Sequence, residues 1–238
     1  MSPTVRIAVV VPHDMVLDHE LWRWAPADTT LLFNRTPFTD RAVTLEMAEE
    51  ISETATVEQA VRDLSAADPH AYVYACTSGS FVHGRHGERR LAAAMQRAGG
   101  GDAPAITTSG AVLESLAALG VSRVAVATPY DVALAARFAS FLAEAGVTVV
   151  STGDLGLGHH IWEVPYETTL ELVRAADTDT AEAVVVSCTN LATYDILGRL
   201  EAELGKPVIS ANRATMEAAL RLVGRTPPTA ENLWGQAS

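Results

Sequence analysis

The chain has two cysteines in 238 residues, and both follow the same local pattern. Cys76 stands in "AYVYACTSGSF", Ala71 to Phe81, and Cys188 stands in "AEAVVVSCTNLATYD". Each closes an apolar run and is followed by threonine, then by Ser78 or Asn190. An isolated cysteine after a strand is usually a small buried hydrophobe. Two at equivalent positions suggest a shared task. A thiolate at a strand-to-helix turn gains from the positive end of the helix dipole, which lowers its pKa. Thr77, Ser78, Thr189 and Asn190 add hydroxyl, amide and backbone N–H donors, a cradle suited to a carboxylate or enolate. The expectation is a catalytic pair, Cys76 and Cys188, acting on a small anion.

The elements that must position this pair read as an alternation. "RIAVVVP", "TTLLFNRTP", "AYVYACT" and "PAITTSG" have strand character, and helical periodicity fills the Ala-, Leu- and Glu-rich stretches between them. Such alternation predicts a parallel sheet with helices on both faces. The second half then repeats the first. Arg6 to Pro12 answers Arg123 to Pro129, "AYVYACTS" answers "AVVVSCTN", and "PAITTSGAVLESL" answers "PVISANRATMEAA", with Glu114 opposite Glu217. Three pairs in one order indicate a duplicated unit. The fold class expected is α/β. It comprises two similar Rossmann-like (flavodoxin-like) domains, each a four-stranded parallel sheet flanked by helices, related by a pseudo-twofold axis. Residues 1–108 plus 214–238 would form the first domain and 109–213 the second, with the site in the cleft between them. Ligands bind at the C-terminal edge of open parallel sheets, where each cysteine falls.

Other residues follow from that geometry. Tyr130, in "VATPYD", follows the first strand of the second half and points to the same edge; Pro12 and His13 hold the matching place in the first. Asp14, Asp18 and Glu20 read as helix-start charges complementing a dipole. His83 and His86 flank a glycine turn and read as solvated. "GDLGLGHHIWEVPYE", Gly153 to Glu167, is the least regular stretch of the second half. Its glycines fit neither a P-loop nor a dinucleotide fingerprint. It reads as a mobile substrate lid, with His160 and Trp162 as its wall.

Bulk properties narrow the class. A net charge of −12 speaks against nucleic acid, because phosphates would repel the chain. The apolar runs are too short to span a bilayer, and the N-terminus lacks the apolar core of a signal peptide. A cytoplasmic location follows, where two cysteines are free thiols rather than a disulfide. No Cys or His spacing matches a structural zinc site. The sequence leaves a homo-oligomer open.

"ACTSGSF" together with "VVVSCTNLATYDILGRLEAELGKPVISAN" resembles the aspartate/glutamate racemase superfamily, closest to its branch of maleate cis-trans isomerases and arylmalonate decarboxylases. The resemblance runs from "RIAVVVP" to "AALRLVG". It implies two similar domains, an active site between them and no cofactor. In the isomerases the cysteine matched by Cys76 adds to the substrate double bond, and that matched by Cys188 acts as acid and base from the other side. In the decarboxylases the position of Cys76 is typically glycine, and the cysteine matched by Cys188 protonates an enediolate. Positions matching Thr77, Ser78, Tyr130 and the backbone after Cys188 hold the carboxylate. With both cysteines present, the chain is placed nearer the isomerases and racemases, acting on a small carboxylate or dicarboxylate. It also departs from them. Where isomerases carry "VPSSN"-like residues this chain reads "VPHDM", Pro12 to Met15, and a second asparagine is replaced near Trp162. Two carboxylate-binding amides are absent, which points to a substrate whose second end is bulkier or less polar than that of maleate. An arylmalonate-type decarboxylase using Cys188 alone is the alternative. A non-catalytic carboxylate-binding protein is the alternative of another class.

Overall fold

The computed structural model describes residues 4–227. Runs rich in valine and isoleucine pack well on a pleated surface, and they form the strands here. β1 (Val5–Val11), β2 (Thr29–Arg35), β3 (Ala71–Tyr74) and β4 (Ala105–Thr107) make one sheet. β5 (Arg123–Thr128), β6 (Thr148–Asp154), β7 (Ala183–Val186) and β8 (Val208–Ser210) make the other. The orders are β2-β1-β3-β4 and β6-β5-β7-β8, all pairs parallel. One sheet therefore has the topology of the other, as the sequence repeat requires. β3 and β7 are buried at every residue, so both read as continuous apolar runs rather than as alternation. β6 went unread in the sequence. It is a half-buried edge strand, "TVVSTGD", with little apolar signal.

In the first half the helices are α1 (Asp18–Arg23), α2 (Leu45–Ile51), α3 (Thr54–Ser65), α4 (Thr77–Phe81), α5 (Gly84–Ala98) and α6 (Thr108–Leu119). In the second they are α7 (Val132–Glu144), α8 (Tyr166–Ala176), α9 (Leu197–Leu204) and α10 (Ala211–Leu222). The fourth strand of each sheet runs straight into a helix whose N-cap is the strand's last residue. Thr107 Oγ1 accepts from Gly110 N at 3.0 Å, and Ser210 Oγ accepts from Arg213 N at 3.2 Å. Such side-chain caps satisfy amides that the first helical turn leaves unpaired. α6 and α10 pack together, joined by the buried Thr108–Thr215 hydroxyl pair at 2.8 Å. Residues 1–3 and 228–238, assigned from sequence to the first domain, lie outside the described residues.

Candidate active site

Cys76 and Cys188 each lie two residues beyond the end of a third strand, β3 and β7. Both are free and buried. They line one small cavity of about 20 Å³ between the two halves. Pro12, Thr77, Ser78, Tyr130, Thr189 and Asn190 line it as well. Val43, Met47, Ile51 and Ile161 form its apolar wall, and Asp14 is its one carboxylate. Larger recesses, including a groove of about 500 Å³ bordered by Arg213 and Glu217, contain neither cysteine.

Cys76 is the N-cap of α4: its Sγ accepts from Gly79 N at 3.4 Å, and Ser78 Oγ lies 3.7 Å from the sulfur. Tyr74, which the sequence reading does not single out, brings its hydroxyl beside the same sulfur and donates it to Ile51 O at 2.9 Å. Only glycine fits at position 79, because a Cβ there would meet the Tyr74 hydroxyl at 2.4 Å. Cys188 has φ 84°, a conformation that costs a non-glycine residue of order 1–3 kcal/mol and persists only where the surroundings hold it. The Tyr130 hydroxyl and the Asn190 N–H face its sulfur.

Those donors do not win. Burial pushes the Cys76 thiol up to about 11 and the Cys188 thiol up to about 12, against an ordinary 9.0. The lowering expected from the helix dipole is thus reversed, because desolvation of a thiolate outweighs two or three weak donors. Burial also raises the Tyr130 phenol, and the two cysteines add to the rise. Thr77 Oγ1 is buried and makes no hydrogen bond of good distance and angle. It lies beside the Tyr130 hydroxyl on the cavity wall, positioned to meet a ligand oxygen.

The loop after Cys188 is tied to the first half. Thr189 Oγ1 donates to Ala75 O at 3.2 Å. Asn190 Oδ1 accepts from Val16 N at 3.0 Å, and Asn190 Nδ2 donates to Asp14 O at 2.9 Å. These side chains act as clamps, so the loop's freest donors toward a ligand are its backbone N–H groups. Glu20 completes the seam. It is fully buried and accepts from Thr193 N at 2.7 Å, Tyr194 N at 3.0 Å and Asn212 Nδ2 at 3.0 Å. Asn212 in turn donates to Thr189 O at 3.0 Å.

Two readings change, those of Asp14 and of the "GHHIW" loop. Asp14 precedes α1 and lines the cavity rather than starting a helix. Glu20, like Asp18, falls in the first turn of α1, as read, and is in addition an interior acceptor. In the "GHHIW" loop Ile161 reaches the cavity, whereas His160 is exposed, stacked on half-buried Trp162 and paired with Glu163 at 3.1 Å. Met15 is buried but outside the cavity lining. His83 and His86 are exposed, as read.

A duplicated α/β architecture with paired thiols in an interlobe cavity defines a class of two-lobed enzymes. The arylmalonate decarboxylase family model matches residues 24–233, and the chain belongs to that family. It is 34% identical to the arylmalonate decarboxylase of Bordetella bronchiseptica, over 84% of this chain and 85% of that protein. It is 31% identical to the maleate isomerase of Nocardia farcinica, over 69% of this chain and 68% of that one. A Nocardia farcinica maleate cis-trans isomerase variant with cysteine replaced by serine, bound to a covalent succinylcysteine intermediate, superposes with a TM-score of 0.85. It covers 93% of both chains at 26% identity. Among the described residues no helix is long and apolar enough to cross a membrane, and no cluster of His, Cys, Asp or Glu could hold a metal ion.

Proposed function

We propose that this protein is a cofactor-independent isomerase or racemase of a small carboxylate, most like maleate cis-trans isomerase, working with Cys76 and Cys188 in the cytoplasm. The observation that carries this reading is the pair of thiols on one small cavity, each with its own donors. The carboxylate of the substrate lies among Thr77, Ser78, Tyr130 and the backbone N–H groups after Cys188. In the isomerase form of the reaction, Cys76 reacts as the thiolate, its proton having passed to solvent, and its sulfur bonds to one alkene carbon. The π pair moves toward the neighbouring carboxylate as an enediolate, which those donors stabilise. Rotation about the resulting single bond and expulsion of Cys76 restore the alkene in the other geometry. Cys188, still a thiol, gives and takes the proton on the opposite face. As a racemase, the thiolate instead removes the α-proton and the other thiol returns one. We place the domain boundaries at 1–108 plus 214–238 and 109–213, a division that the packing of α10 against β3 and β4 of the first sheet supports.

The second reading is decarboxylation, with Cys188 as sole proton donor. The apolar wall of Val43, Met47, Ile51 and Ile161 favours it, as does a thiol raised to about 12, which is protonated at neutral pH. Cys76→Ala and Cys188→Ala separate the two. Each should abolish isomerisation or racemisation, with the double variant scarcely worse, because residues acting as a unit are non-additive. Retained turnover with carbon dioxide release in Cys76→Ala would instead establish the decarboxylase.

A further inference from the structure

We infer that Asp14 sets the substrate class of this cavity: it selects a monocarboxylate whose other end carries an uncharged hydrogen-bond donor, such as a primary amide, and rejects a second carboxylate. The inference rests on the carboxylate-binding reading above and adds the identity of the substrate's far end.

Asp14 lines the same cavity as both thiols and is close enough for its charge to oppose ionisation of each. Its backbone oxygen is used by Asn190 Nδ2, but among the described residues its carboxylate makes no ion pair and no hydrogen bond to another residue. The charged and titratable groups that face it are His13, Arg35, His159 and Tyr74, besides the two cysteines. Arg35 acts only from a distance, being bound itself to Asp18 at 2.8 Å and to Met15 O at 2.6 Å. No lysine or arginine lines the cavity. A dicarboxylate would thus bring a second negative charge beside Asp14 with only the distant Arg35 and the neighbouring histidines to offset it, and like charges brought together oppose binding. An amide end reverses the sign: its N–H donates to the waiting carboxylate. Burial raises the Asp14 carboxyl, which is the expected mark of an acid lacking such a donor.

The test compares maleate with maleamate, its half-amide of the same shape, at pH 8, where maleate is a dianion. Protection of the two thiols against alkylation reports occupancy of the cavity, and calorimetry gives the affinities. The wild-type chain should bind maleamate tighter than maleate by about tenfold or more, and Asp14→Asn should erase or invert that order. Asp14→Ser, which also removes the charge, should move in the same direction, and thermal melting confirms that both variants fold. Equal preference in wild type and both variants would overturn the role of Asp14 while leaving the carboxylate site standing. If neither ligand protects the thiols in any variant, the carboxylate-binding reading itself falls, and this inference with it.

Discussion

Cys188 combines a left-handed backbone with a thiol raised to about 12, and Tyr130 is one of the few groups pulling it down. The rate of thiol alkylation follows the thiolate fraction. Both cysteines of the free protein should therefore react slowly at neutral pH and accelerate as pH climbs toward 11 and 12. Tyr130→Phe should push Cys188 still higher. Removing a donor aimed at developing charge typically costs about 2.7–4 kcal/mol, so turnover should drop roughly a hundredfold or more while the fold stays intact. Unchanged kcat together with an unmoved alkylation profile would remove Tyr130 from the site. At this scale the sequence was informative where the repeat pointed: the two cysteines, Thr77, Ser78 and Tyr130 fall at matching strand ends. It took Asp14 for a helix-start charge, because a single acid near a helix start looks the same whether it faces solvent or a cavity. It misjudged the thiol titration, since burial cannot be read from a local turn.

Strand-end loops are exposed by default, yet the loop from Cys188 to Tyr194 is stitched inward by a carboxylate on α1. Glu20 holds two backbone N–H groups and the Asn212 amide, and Asn212 passes the restraint to the carbonyl after Cys188. Glu20→Ala would leave those buried donors unpaired. An unsatisfied buried polar group costs about 1–3 kcal/mol, so a loss of roughly 2–4 kcal/mol in a denaturant melt is expected after partial relaxation. Turnover should fall further than stability explains, because the strained φ at Cys188 would relax. A variant that melts like the wild type would show that the seam is held elsewhere. The strands were legible as valine-rich runs, and the matched caps Thr107 and Ser210 as a repeated motif. The seam was not, since Glu20 and Asn212 are 192 residues apart and nothing local pairs them.

Two lobes enclose a cavity of about 20 Å³, enough for one water and far too little for a four-carbon acid. Substrate must enter by parting the lobes or the loops that cover the site. The loop after β2 and the loop after β6 meet over it: Val43 N donates to Gly158 O at 2.7 Å, and Val43 and Ile161 from those loops line the cavity. This contact is a latch of one backbone hydrogen bond, weak enough to open and specific enough to close in register. A Cβ built at Gly158 would lie 3.2 Å from the Ala42 Cβ, slightly closer than the usual disulfide spacing of about 3.5–4.5 Å. The double variant Ala42→Cys, Gly158→Cys should therefore form a cross-link after a small shift, while Cys76 and Cys188 stay buried and reduced. Oxidation should lock the latch and lower kcat/KM at least about tenfold, because lid opening gates entry and release. Reductant should restore it. Mass spectrometry would confirm the bond, and a cross-linked enzyme with undiminished turnover would show that substrate enters by another route.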